Sequence, residues 1–150
     1  MGSDVCWRSG KMGGMTVEGE QGSDFLFGGV PYEYGAVAAS GSVLFTAGAC
    51  PLDVNGQVVG LGDPIAQARA AFDNFVLALN RYGARVGNVV KTTVYVLGDH
   101  EDLVAVWRVI AEGLAPFRPP STLLGVAALG YSGQLVEIEG IAVVPDPRRM

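Results

Sequence analysis

The segment Leu135-Val136-Glu137-Ile138-Glu139-Gly140-Ile141-Ala142-Val143-Val144 decides the fold. Alternate residues of a strand point to opposite faces. Leu135, Glu137, Glu139, Ile141 and Val143 therefore share one face, and Val136, Ile138, Gly140 and Ala142 share the other. It reads as the closing strand of a sheet, with a purely apolar side and a side that carries two carboxylates.

The rest of the sheet can be read outward from this strand. Thr122–Ala127 is a predicted strand joined to it around Gly130–Gly133, and Pro116, Pro119 and Pro120 force an extended loop before it. His100–Leu114 reads as a helix capped by Asp99, with Leu103, Val106, Trp107, Ile110 and Leu114 as its inner stripe. Val89–Val96 alternates as a strand. Asp63–Pro64 opens an earlier helix, on which Ile65, Ala68, Phe72, Phe75, Val76 and Leu79 form one apolar stripe before Gly83 stops it. Gln57–Val59 follows the turn signal Asn55–Gly56 as a short strand. Ala36–Ala39 and Val43–Ala47 flank Ser40–Gly41 as a predicted hairpin. The order β-β-(β)-α-β-α-β-β gives an α/β (α+β) single domain, a mixed sheet with two helices on one face. The opposite face carries too many apolar side chains for water, so a partner subunit is expected to cover it.

Composition narrows the class. Of the 150 residues, 49% are hydrophobic and 17% charged, well below the ~25% charged of an ordinary domain. That composition rules out disorder for most of the chain and suggests that part of the surface is covered by other copies. The formal net charge is −5, and Lys11 and Lys91 are its two lysines, so no basic stripe exists for nucleic acid or an anionic membrane. Cys6 and Cys50 lie in no metal-ligand spacing, and His100 is the single histidine. No run reaches a membrane span and no leader pattern opens the chain, so a cytoplasmic protein is expected. Residues 1–28, rich in Gly, Ser, Glu and Met without periodicity, read as a flexible N-terminal extension; 29–145 read as the domain and 146–150 as a C-terminal tail.

Few groups could do chemistry. Glu137 and Glu139 stand roughly 6.5–7 Å apart on one strand face. Desolvated, one of them would carry a raised pKa and serve as proton donor or relay; otherwise the face meets solvent or pairs with arginines across a subunit contact. Tyr32 and Tyr34 either position a ligand or pack. The small residues of Thr46-Ala47-Gly48-Ala49-Cys50-Pro51 leave room for a close approach to the backbone. Cys50 has no neighbouring base in sequence, so packing is its simpler reading.

Taken together, several blocks resemble the Rid/YjgF family, the reactive intermediate deaminases once labelled L-PSP endoribonucleases. They are Pro31-Tyr32-Glu33-Tyr34-Gly35, Phe45 to Pro51, Gln67 to Asn74, Val89 to Val96 and Val136 to Ala142. The resemblance implies a chorismate-mutase-like fold and a homotrimer whose sheets close a central β-barrel, with small-molecule clefts between subunits. It implies hydrolysis of amino-acid-derived enamines and imines to 2-keto acids and ammonia, with no metal and no cofactor. The family's cleft tyrosine falls on Tyr32, its small turn on Gly48 and Ala49, its water-binding glutamate on Glu137 and the strand's second glutamate on Glu139.

The resemblance breaks at three positions. The deaminase pattern Pro-Ala-Arg-Ser/Thr aligns on Pro119-Pro120-Ser121-Thr122, so Ser121 stands where the carboxylate-binding arginine is expected. The cysteine two residues later falls on Leu123, and an asparagine of the second helix falls on Trp107. An Arg–carboxylate contact is charge-assisted, and hydrogen bonds to charged groups contribute roughly 1.5–3 kcal/mol. Serine cannot replace it, and Arg118 at odd offset points to the other face of an extended chain. The reading is thus a trimer acting on a neutral or non-carboxylate imine, enamine or enol, with Glu137 as acid/base or water holder and with Tyr32, Gly48, Ala49, Trp107, Ser121, Leu123 and Glu139 around the ligand. The alternative is a non-catalytic metabolite-binding trimer. A standard 2-imino acid deaminase and a ribonuclease are the weaker expectations.

Overall fold

The computed structural model describes residues 8–12, 15–19, 36–37 and 42–144. In chain order they form β1 (Arg8–Met12), β2 (Met15–Gly19), β3 (Ala36–Val37), β4 (Ser42–Phe45), α1 (Pro64–Arg81), β5 (Val89–Val96), α2 (His100–Leu114), β6 (Ser121–Gly125) and β7 (Val136–Val144). The main sheet runs β4-β7-β5-β6, with β5 and β6 parallel and the other neighbours antiparallel. This is the expected mixed sheet.

Both helices begin where short-range chemistry says they should. Asp63 accepts hydrogen bonds from the amides of Ile65 and Ala66, and Pro64 occupies the first turn, where a missing N–H is harmless. Asp99 accepts from the Asp102 amide while the Asp102 carboxylate accepts from the Asp99 amide, a reciprocal box. Ala68, Ala71, Phe75 and Leu79 of α1 and Val106, Ile110 and Leu114 of α2 meet Val94, Val96, Val136, Ile138 and Ala142 of the sheet in one core. Gly140 lets Phe75 come close to β7, because a Cβ there would lie 2.8 Å from the Phe75 ring.

The structure corrects the α1 stripe in one place. Ile65 is 40% exposed, whereas Gln67 is fully buried. Gln67 is inside because all its polar atoms have partners. Its Nε2 donates to the carbonyls of Gly60 (3.2 Å) and Gly133 (2.8 Å), and its Oε1 accepts from the Leu135 amide at 2.7 Å. The side chain therefore fixes where β7 begins.

Pairing adds to the reading of the N-terminal part. Among the described residues β3 pairs with β2, and β4 pairs along β7 from Ser42↔Val144 to Phe45↔Ile141. The turn expected at Ser40–Gly41 lies outside the described residues. Within the segment read as a flexible extension, β1 and β2 pair with Met12 opposite Met15. Gly13-Gly14, the two residues between, match the two-residue hairpin signal. The strand expected at Gln57–Val59 reduces to a single bridge between Leu52 and Val58. Among the described residues no helix is long and apolar enough to cross a membrane.

Replacing Gln67 by Leu should leave the Leu135 amide and the Gly133 carbonyl without these partners, whereas the Gly60 carbonyl keeps the Asp63 amide at 2.9 Å. Each orphaned buried group costs about 1–3 kcal/mol, and thermal unfolding of the variant should occur at least ~4 °C lower. An unchanged melting temperature would contradict the assigned role of Gln67.

Candidate functional site

The site is built where β7 meets the chain that follows β4. Thr46 and Ala49 keep that chain against β7. The Thr46 amide donates to Gly140 O (2.9 Å), the Gly140 amide donates to the Thr46 hydroxyl (2.9 Å), and Ala49 and Ile138 exchange bonds of 2.7 and 3.2 Å. Asn74 of α1 secures the next stretch, its Nδ2 donating to the carbonyls of Cys50 (2.8 Å) and Leu52 (2.9 Å). The turn around Gly48 is therefore tied to both the sheet and a helix.

Glu137 lies against this turn. A Cβ built on Gly48 would sit 1.8 Å from Glu137 Oε1, so only glycine allows the carboxylate to occupy this place. The other oxygen, Oε2, accepts from Gln134 Nε2 at 3.0 Å and lies 3.6 Å from Cys50 Sγ. Burial, followed by the neighbouring Glu137 charge, raises the Cys50 thiol above its ordinary pKa. Cys50 is therefore held as a neutral thiol, which argues against a nucleophilic role.

Glu139 makes a different contact. It accepts from the Tyr95 hydroxyl at 2.7 Å, and this bond, followed by burial, raises the Tyr95 pKa. The two glutamates share a face as the alternation requires, but each has its own partners. Lys91, on the same face, donates to the Thr122 hydroxyl.

A second group of expected site residues lies elsewhere. Trp107, Ser121, Thr122 and Leu123 line a cleft of about 340 Å³ at the edge strand β6. None of the four is charged. The Ser121 hydroxyl donates to Pro119 O (2.9 Å) and lies 2.6 Å from Thr92 Oγ1. Its one proton is used within the chain, so it offers the cleft a lone pair rather than a donor. Arg118, three residues earlier, is half-buried with φ +49°.

The two groups do not meet within one chain. Glu137 is opposite Tyr95 and Ser121 is opposite Thr92, with β5 between β7 and β6. Two strand spacings and three residues of rise separate them by about 14 Å. They also point to opposite faces, since Thr92 is buried beneath the helices and Glu137 shares the face of Tyr95.

The fold and the sequence match known proteins. A family model described as "Endoribonuclease L-PSP" matches residues 30–144. The chain belongs to this family, the Rid/YjgF family. A RutC family protein of Pyrococcus horikoshii is 32% identical over 109 residues, covering 73% of this chain and 85% of the relative. A 2-iminobutanoate/2-iminopropanoate deaminase of Salmonella typhimurium is 36% identical over 106 residues, covering 69% and 80%. The crystal structure of the Yersinia pestis Rid-family protein YyfB superposes with a TM-score of 0.76 at 28% identity, over 81% of this chain and 95% of that one.

Within this Rid-family chain the structure brings Gly48, Ala49 and Glu137 together and puts Trp107, Ser121 and Leu123 together, but it keeps the two sets apart. Tyr32 lies outside the described residues. Gln134 and Thr122 were not singled out from sequence. Gln134 has no local signal, because its position against Glu137 depends on the turn at Tyr131–Gln134. Thr122 is the strand neighbour of Ser121 and was legible as such.

Gly48→Ala separates fold from function. The clashing group is the far end of a flexible side chain, so the variant should melt within a few degrees of the parent. Ligand binding or turnover that depends on Glu137 should fall by at least about 10-fold, the equivalent of one charged hydrogen bond. Full activity in Gly48→Ala would show that Glu137 does not work from this position.

Proposed function

We propose that the chain assembles as a homotrimer whose clefts, each completed by two copies, hydrolyse a small uncharged imine or enamine with Glu137 as the water-holding acid/base group. The observation that carries this reading is the pairing of a retained carboxylate seat with a cleft that has lost its cation. Glu137 lies against Gly48, while the β6 cleft offers Trp107, Leu123 and two hydroxyls. A carboxylate there would find no cationic side chain among the four lining residues, and Lys91 is bonded to Thr122 from the other face.

Assembly follows from the same geometry. The face that bears Glu137 also bears Val43, Phe45 and Leu124, which are 52%, 71% and 44% exposed. Exposed apolar side chains at both edges of one sheet face point to an interaction surface. A neighbouring copy placed there would cover it and bring a β6 edge toward Glu137, which no rearrangement within one chain achieves.

The step balances without a cofactor. Water held by Glu137 adds its oxygen to the imine carbon and gives a proton to the carboxylate. That proton, and then the proton of the new hydroxyl, pass through the carboxylate to the nitrogen; the C–N bond breaks, and ammonia leaves as the carbonyl forms.

Two substrates that differ only in charge test the reading. 2-Iminopropanoate and its amide, 2-iminopropanamide, are generated in situ and ammonia release is followed. The amide should be hydrolysed with a kcat/KM at least about 10-fold above that of the acid, and Ser121→Arg should reverse the preference. Faster hydrolysis of the acid by the parent protein would overturn the uncharged-substrate assignment. Loss of all turnover in Glu137→Gln with ligand affinity unchanged is expected of a catalytic carboxylate; unchanged turnover would point to a binding protein.

A further inference from the structure

The two oxygens of Glu137 have different surroundings. Oε1 faces the Gly48 backbone, whereas Oε2 faces Gln134 and Cys50. Gln134 is 1% exposed, and its hydrogen bonds leave no choice of amide orientation. Its Oε1 accepts from the Tyr131 amide at 3.1 Å, and its Nε2 donates to Val136 O at 3.1 Å and to Glu137 Oε2 at 3.0 Å. A flipped amide would set its oxygen against a carbonyl and a carboxylate and its nitrogen against an N–H. Nothing in the residue pattern around Glu137 singled out this glutamine.

We propose that Gln134 is a positioning residue for Glu137: with the Cys50 thiol it grips Oε2 and leaves Oε1 as the oxygen that works on water and substrate. This rests on the reading of Glu137 as the working carboxylate. A carboxylate held at one oxygen loses rotational freedom, so the free oxygen keeps a fixed bearing toward the Gly48 turn, which is the kind of preorganisation that speeds a proton transfer. The thiol contributes as a weak donor, because burial and the Glu137 charge keep it protonated. The titratable groups around Oε2 are Cys50 from the turn, Tyr95 from β5 and Glu139 from β7.

The Cys50 thiol reports on this grip without any substrate. The Gln134 amide lowers its pKa, whereas the Glu137 carboxylate raises it. The experiment measures the rate of alkylation by iodoacetamide against pH in a Cys6→Ser background, where Cys50 is the remaining cysteine. Glu137→Gln should lower the apparent thiol pKa, because the charge beside the thiol is removed. Gln134→Met, of similar length but with no donor, frees the carboxylate to leave the thiol and should lower it too, while the double variant should read no lower than Glu137→Gln alone. No change in Gln134→Met, or a further fall in the double variant that shows a loosened turn rather than a released carboxylate, overturns the proposal. If Gln134→Met does not fold, Glu137→Gln decides, since an unchanged thiol pKa there removes the contact.

The second arm is kinetic. With 2-iminopropanamide, Gln134→Met should lose about 10-fold or more in kcat with KM within about threefold of the parent, as a transition-state contact requires. An unchanged kcat in an active parent would overturn the positioning role. Absence of turnover in the parent would instead sink the proposed reaction, while the thiol titration would still decide whether Gln134 and Cys50 hold the carboxylate.

Discussion

Strand β7 is hydrogen-bonded along both edges, to β4 on one side and to β5 on the other, and this double ladder is the constraint on which the rest depends. A strand so placed cannot slip by one residue without turning Val136, Ile138 and Ala142 out of the core. The register therefore sends Glu137 and Glu139 to the face away from the helices. Gln67 sets the starting point of the ladder by holding the Leu135 amide and the Gly133 carbonyl from a buried position on α1. Asn74, two turns further along the same helix, ties the Gly48 turn. One helix thus positions both halves of the glutamate's surroundings, and the packing of Phe75 over Gly140 keeps that helix close.

Most of the fold was legible because its signals are local. Alternation gave β5 at Val89–Val96 as observed, and the caps Asp63 and Asp99 gave both helix starts. What was missed depends on distant partners. The pairing of β4 with β7, about a hundred residues on, has no local signal. Gln67 is not part of the apolar stripe read from sequence. Its partners at Gly60, Gly133 and Leu135 exist only once the chain has folded, and they draw it inside.

The candidate site was legible in part for the same reason. Glu137 and Gly48 follow from strand alternation, a small-residue turn and the family resemblance, and the structure puts them in contact. Cys50 read as packing is half right: it is half-buried, but its thiol borders the carboxylate. Gln134 could not be found from sequence, since its role comes from a turn geometry rather than a motif. The separation of Ser121 from Glu137 was also hidden, because a residue pattern does not give the distance between its members.

That separation is the core of the account. A carboxylate on one sheet face and an uncharged cleft on the other edge do not meet within one chain; on the proposed reading they form one site where copies of the chain meet, and the shortage of charged residues is consistent with much surface being covered. Sedimentation equilibrium on the purified protein tests this most directly. The account predicts a single species of three times the 15.6 kDa chain mass across a wide concentration range. A stable monomer of 15.6 kDa would contradict it.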